Sequence, residues 1–355
     1  MTDLPSPSPA TPPPTTPPTN EAEANAWPRR YRVRHRTDYT YGMTVSDAYS
    51  VACMLPRARP TQRIVERDLE VTPEPNEFDA RRDVFGNHVT QVGVHRPHDG
   101  FTIVANSIVE LDAPYRPSSS LSWEEVALLA ARLTGRAAVA VGPYRALTAA
   151  TTPTTERAAL DELARSVFTP GRGIVDAAAA LMSTIFEHWT FDPTATDWAT
   201  PLDAVLHDRR GVCQDFAHLG IAAMRSVGLP ASYVSGYIET DPPPGEEKSI
   251  GADASHAWCS VWIPDAAPPQ TGSFDHASKM GAADEPTADQ SDVVADVGGQ
   301  HRWFDFDPTN DQFPPTRHVT VAWGRDYADV APLRGVVIGP SSQQRLDVSV
   351  DVQRL

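Results

Sequence analysis

The chain has 355 residues, room for two domains at about 100 to 200 residues each. With 41% hydrophobic residues it can fill ordinary cores, and a formal net charge of -16, from 46 acidic and 30 basic residues, repels polyanions and sets nucleic acid aside as a partner. No apolar run reaches the about 18 residues that cross a bilayer, the amino terminus lacks the basic start and apolar stretch of a signal peptide, and three cysteines make no disulfide framework, so a cytoplasmic protein with no membrane partner is expected.

Eight of the 34 prolines fall within the first twenty residues, mixed with Ser and Thr, so residues 1–27 read as a disordered Pro-rich leader. From Tyr31 onward the pattern has period two. Tyr31 to Tyr41, Ile64 to Val71, His88 to Val94 and Phe101 to Val104 alternate as half-buried strands, and Gly86-Asn87 signals a hairpin. Residues 28–113 are therefore expected to form an antiparallel β domain. The arginines of Arg29 to Arg36 and Arg57 to Arg67 read as the wet face of its strands.

Near residue 120 the period changes to 3.6. Ser122-Trp-Glu-Glu125 has capping-box spacing and opens a helix through about Leu133. Helices at Thr155 to Phe168 and Val175 to His188 follow, and Thr200-Pro-Leu-Asp203 starts another. Strands come after: Ala231 to Ile238, Ser255 to Ile263, Arg302 to Asp307, Val319 to Trp323 and Leu346 to Val352. Helices followed by strands indicate an α+β domain over 120–355. Within it, 264–300 has no periodicity and sets seven acids (Asp265, Asp275, Asp284, Glu285, Asp289, Asp292, Asp296) against Lys279, the mark of an exposed, disordered acidic insertion.

The segment Arg210 to Pro230 places Cys213, Phe216, Gly220, Met224 and Val227 in one helical stripe. Gly211 lies just before the helix and Gly228 ends it, so Cys213 sits in the first turn, where unpaired N–H groups and the helix dipole favour a thiolate. A nucleophile needs a base, and the base an orienting group. His218 is five residues on, about 500° around the helix, and points away. His256 shares a strand face with Trp258, Ser260 and Trp262, whereas Cys259 faces the other way and reads as core, as does Cys53. Asp307 ends its strand because Pro308 cannot continue a ladder. It can hold the imidazole of His256 or close the strand as an Asx turn.

Gly211-Val-Cys-Gln-Asp-Phe-Ala-His218, Ser255-His-Ala-Trp258 and Asp307-Pro-Thr-Asn310, in this order, resemble the three motif blocks of the bacterial transglutaminase-like superfamily. The resemblance implies a papain-like fold with Cys213 as nucleophile, His256 as general base and acid, and Asp307 as orienting carboxylate. Tyr31 to Leu111 resembles the β-rich amino-terminal region of many bacterial members. The implied activity is acyl transfer from amide bonds of a peptide or protein substrate through a thioester, with water (protease or amidase) or an amine (transglutaminase) as acceptor. Hydrolysis is favoured, since nothing marks an amine channel. The backbone N–H of Cys213 is one candidate oxyanion donor; Trp189, Trp198 and Gln214 are near it in sequence. No cofactor and no metal is implied: His95-Arg-Pro-His98, Gly171-Arg-Gly173 and Ser235-Gly236 complete no metal, dinucleotide or nucleophile-elbow motif. The rival reading is a catalytically silent peptide-binding module.

Overall fold

The computed structural model describes residues 27–114, 116–196, 199–240, 254–266, 302–340 and 343–355. The expected leader up to residue 26, Trp198 and most of the expected acidic insertion lie outside them.

The first strands are β1 (Arg29–Val45), β2 (Asp47–Ala52), β3 (Gln62–Thr72), β4 (Glu77–Arg82), β5 (His88–Val94) and β6 (His98–Leu111). Tyr31, Val33, His35 and Thr37 of β1 point inward and Arg30, Arg32 and Arg34 outward, as the period-two reading requires. After them come the helices α1 (Trp123–Ala131), α2 (Gly135–Val141), α3 (Arg157–Val167) and α4 (Ile174–His188), then β7 (Thr190–Phe191), α5 (Leu202–Asp208), β8 (Arg210–Gly211) and α6 (Cys213–Ser226). The chain closes with β9 (Ala231–Ile238), β10 (Ala254–Trp262), β11 (Trp303–Phe306), β12 (His318–Gly324), α7 (Tyr327–Val330), β13 (Leu333–Ile338) and β14 (Gln344–Arg354). The molecule is α+β.

Two four-stranded antiparallel sheets, ordered β14-β1-β6-β3 and β13-β2-β5-β4, form the β region. A third sheet, ordered β11-β10-β9-β12, carries the helices. Residues 333–354, grouped with the second region on sequence, supply two strands that pair with the first, β14 along β1 and β13 along β2. Alternation specifies that a strand has a buried face, but the sheet it joins is set by a pairing about 300 residues away in the chain.

The long sheet serves two cores with one face. Tyr41, Phe101 and Ile103 pack with Ala48, Val92 and Val94 of the sheet opposite. Tyr31, Val33, Val109, Val350 and Val352 join the core of the helical region, with Leu181, Phe216 and Phe306. Burial of β14 stops partway. Val350 and Val352 are enclosed, whereas Leu346 and Val348, on the same face, stay about half exposed.

The segment Arg57 to Gln62 departs from its expectation. Arg57 and Arg59 are no wet face; Arg57 is buried and Arg59 largely covered where the β region meets the third sheet. Gln62 mimics a strand partner: its side chain accepts from Thr320 N–H (2.8 Å) and donates to Thr320 C=O (2.7 Å). Arg57 lies 3.1 Å above the Trp323 ring and donates to Asn87 Oδ1 (2.6 Å), and Arg59 forms a two-pronged ion pair with Asp305.

Candidate active site

Helix α6 is built to present its first residue. Ahead of it, β8 pairs in parallel with β7, and Asp192 N–H donates to Gly211 C=O (2.9 Å). The Asp215 carboxylate folds back to accept from Val212 N–H (2.8 Å) and the Thr196 hydroxyl (2.6 Å), one half of a capping box. A Cβ at residue 211 would stand 2.6 Å from Asp215 Oδ2, so glycine is needed there for the carboxylate to return. At the other end Gly228, with φ +85°, closes a Schellman motif in which Leu229 N–H reaches Met224 C=O and Gly228 N–H reaches Arg225 C=O. Every residue from Asp215 to Arg225 is buried.

Gly220 sets how closely α6 approaches the third sheet. A Cβ there would lie 2.8 Å from Cys259 Sγ, which donates to Ala217 C=O (3.3 Å). Cys259, expected as core, is completely enclosed, and burial pushes its thiol well above the ordinary range. Cys53, also expected as core, is buried and pushed up to about 12 by the same cause. Cys213 alone of the three keeps partial exposure.

His256, on β10, faces Asp307 and Cys213. Its Nε2 lies 2.7 Å from Asp307 Oδ2. Burial works to lower the imidazole, but the charge and hydrogen bond of Asp307, with the Cys213 side chain beside the ring, outweigh it, and the ring is raised to about 10. Asp307 follows β11 and has no exposed surface. Burial would push its carboxyl up; the charge and hydrogen bond of His256, joined by His318, hold it well below the ordinary carboxylate range.

Both sequence readings of Asp307 are realised at once. Oδ1 accepts from Thr309 N–H (2.9 Å) in the turn that Pro308 begins, and Oδ2 faces His256. Asn310 Nδ2 donates to Oδ2 (2.7 Å) and lies 3.3 Å from His256 Nε2. The structure thus brings together the three residues singled out on sequence, Cys213, His256 and Asp307.

It adds one that sequence reasoning passed over. His318 opens β12, and its Nε2 lies 2.9 Å from the same Asp307 Oδ2. The signal was present, a histidine one residue before a predicted strand, but nothing in one sequence says that β12 ends beside Asp307. The ligand atoms of His256, Asp307 and His318 lie within 4.8 Å of one another, a spacing a metal ion could bridge. The 2.7 and 2.9 Å separations are those of N–H···O bonds, and the carboxylate's donors account for the cluster without an ion.

The other candidates separate. His218 packs against Tyr233, its Nε2 accepts from Tyr327 N–H (3.2 Å), and burial lowers it to about 4; it is a neutral structural histidine. The Trp189 indole N–H is spent on Val205 C=O (3.0 Å) and is no oxyanion donor. The N–H of Cys213, in the first turn of α6, lies beyond the reach of intrahelical acceptors. His95 lies between Asp47 and Glu77 on the β region.

The model of the bacterial transglutaminase-like N-terminal region matches residues 31–110, and that of the transglutaminase-like superfamily matches residues 161–272, a span that includes Cys213 and His256 and stops before Asp307. An uncharacterized protein of Mycobacterium tuberculosis is 38% identical over 328 residues, which is 91% of this chain and 92% of the relative. Another, of Mycobacterium leprae, is 30% identical over 330 residues, 92% of this chain and 99% of the relative. Among solved structures, this chain is similar to one from Cytophaga hutchinsonii described as a "putative cysteine protease". Its TM-score is 0.64 at 19% identity, over 93% of this chain and 92% of that one, a likeness of fold. No helix among the described residues is long and apolar enough to cross a membrane.

Proposed function

The chain belongs to the transglutaminase-like superfamily, and from that premise we propose that it is a thiol-dependent enzyme acting on amide bonds of peptides or proteins. The observation that carries the reading is the juxtaposition of Cys213, at the start of α6, with His256, whose ring is hydrogen-bonded to the buried carboxylate of Asp307.

Each residue has a task its surroundings support. Cys213 Sγ attacks the amide carbon, and the negative oxygen that forms is met by the Cys213 N–H and the positive end of α6. His256, held as an imidazolium by Asp307, gives a proton to the leaving nitrogen; the C–N bond breaks and a thioester remains. The neutral imidazole then takes a proton from the acceptor, which displaces Cys213 and restores the thiolate and imidazolium. Asp307 keeps the ring oriented throughout. We favour water as the acceptor, making the protein a cysteine peptidase or amidase. The description of the Cytophaga hutchinsonii protein agrees with this choice. A reducing, cytoplasmic setting suits a chain whose three cysteines are all unpaired.

The test is mass spectrometry of a glutamine-containing protein digest incubated with the full chain, with and without a tagged primary amine. Backbone cleavage or deamidation is expected, and both vanish in Cys213→Ala while its circular dichroism stays that of the parent. Amine incorporation would move the protein to the transglutaminases. No change in any peptide, together with equally slow iodoacetamide labelling of all three cysteines, would leave a silent peptide-binding module.

A further inference from the structure

A carboxylate that orients one imidazole needs one N–H from it. Asp307 Oδ2 receives three donors: His256 Nε2 at 2.7 Å, Asn310 Nδ2 at 2.7 Å and His318 Nε2 at 2.9 Å. The His318 side chain has no exposed surface. Its ring is fixed on every side, 5.1 Å from the Trp258 ring in an edge arrangement and 5.7 Å from the His256 ring, centroid to centroid. Nδ1 lies 3.2 Å from the hydroxyl of Thr316, which also bonds the Gln312 amide oxygen at 3.0 Å. Burying a histidine in this way costs desolvation, which packing alone does not demand, since an apolar side chain would fill the space.

We propose that His318 is a positioning residue for the triad: by donating from Nε2 to the oxygen that holds His256, it fixes the Asp307 carboxylate and weakens its pull on the His256 proton. The inference rests on the triad reading above and deepens it. An imidazolium beside a buried carboxylate with no other donor would be too reluctant an acid to protonate a leaving amine, because the charge it faces would be unshared. Each further N–H on that oxygen spreads the charge and makes His256 a better donor.

The charges around the site agree with a neutral His318. Facing it are Asp305 from β11, Asp307 just after it and His256 from β10; Cys213 approaches His256 from α6, Cys259 is on the opposite face of β10, and Arg59 of the β region is taken up by Asp305. Burial lowers His318, and a charged His256 discourages a second imidazolium beside it; only the carboxylates oppose. A neutral ring has one N–H, and the geometry requires it at Nε2, because the Asp307 carboxylate it faces can only accept.

The experiment is nitrogen-15 NMR of the histidine rings in the full chain, for the parent, His318→Gln and His318→Leu, with iodoacetamide labelling of Cys213 in parallel. In the parent at neutral pH His318 should show the neutral Nε2–H tautomer. The His256 titration should move up by about half a unit or more in His318→Leu, which has no donor, and by less in His318→Gln, whose amide N–H replaces the imidazole's. An Nδ1–H tautomer in the parent, an unmoved or lowered His256 titration in a folded His318→Leu, or equal shifts in both variants would each overturn the proposal. If His318→Leu does not fold, the parent tautomer and the His318→Gln titration still decide. Failure of the triad reading looks different: Cys213 of the parent would label no faster than Cys53 or Cys259, whatever His318 does.

Discussion

Asp305 and Asp307 stand two residues apart at the end of one strand, both buried and both held below the ordinary carboxylate range, yet they belong to different parts of the molecule. Asp305 is closed by the Arg59 guanidinium of the β region, the Trp258 indole (3.0 Å) and the Ser260 hydroxyl (2.6 Å). Asp307 is closed by two imidazoles, an amide and a backbone N–H. The strand and the side chain are the same, so the partner decides what each carboxylate does. A guanidinium cannot release its proton at any pH a protein survives, so the Arg59 pair is a fixed clamp between regions. An imidazole can release one, so the His256 pair can take part in proton transfer.

The sharpest way to break this comparison is to neutralise each carboxylate without changing its volume. Asp307→Asn should lower kcat on a peptide-amide substrate by roughly 10²- to 10⁴-fold, short of complete loss because an amide oxygen can still orient the ring. Its urea midpoint should move less than that of Asp305→Asn, since His256 can shed its proton once the carboxylate is gone and leave no buried charge behind. Asp305→Asn has no such escape. It strands the Arg59 cation in a site where that side chain is 11% exposed, and unfolding free energy should fall by about 3 kcal/mol, with kcat per folded molecule within a few-fold of the parent. Equal stability losses in the two variants, measured by urea unfolding, would mean that the partner's ability to release a proton makes no difference.

How much of this could be seen in the sequence follows from which interactions are local. The helix that carries Cys213 was legible from Gly211 to Gly228 because its caps, its glycines and its stripe all lie within one segment. Asp307 was legible because Pro308 punctuates its strand. His256 needed only the alternation of its own strand. Arg59 and His318 were not legible: their meaning comes from Asp305 and Asp307, 246 and 11 residues away, through sheets whose order no periodicity encodes. The same gap hides that β13 and β14 pair with β2 and β1. β4, Glu77-Phe-Asp-Ala-Arg-Arg82, escaped notice for another reason: it is exposed almost throughout, so it carries no apolar alternation to read.

The smallest expected effect compares histidines. His35, on β1, is as deeply buried as His256 and bonds the Tyr237 hydroxyl (2.9 Å) and the Thr37 hydroxyl (3.2 Å), but among the described residues no carboxylate faces it, and burial lowers it to about 4. The two rings therefore act oppositely on stability. His256, raised, contributes stability that is complete below about 6.5 and is lost as pH rises toward about 10. His35, lowered, is neutral in the folded chain at pH 5.5 while its unfolded counterpart is mostly protonated, so it costs stability as pH falls from about 6.5 toward 4. Between pH 7 and 5.5 that cost is about 1 kcal/mol. Urea midpoints of the parent and His35→Gln at the two pH values isolate it, because the other groups cancel in the difference. The parent should lose more on acidification than the variant. A parent that loses the same or less would show that His35 stays charged in the fold, and that a buried histidine here does not need a carboxylate to hold its proton.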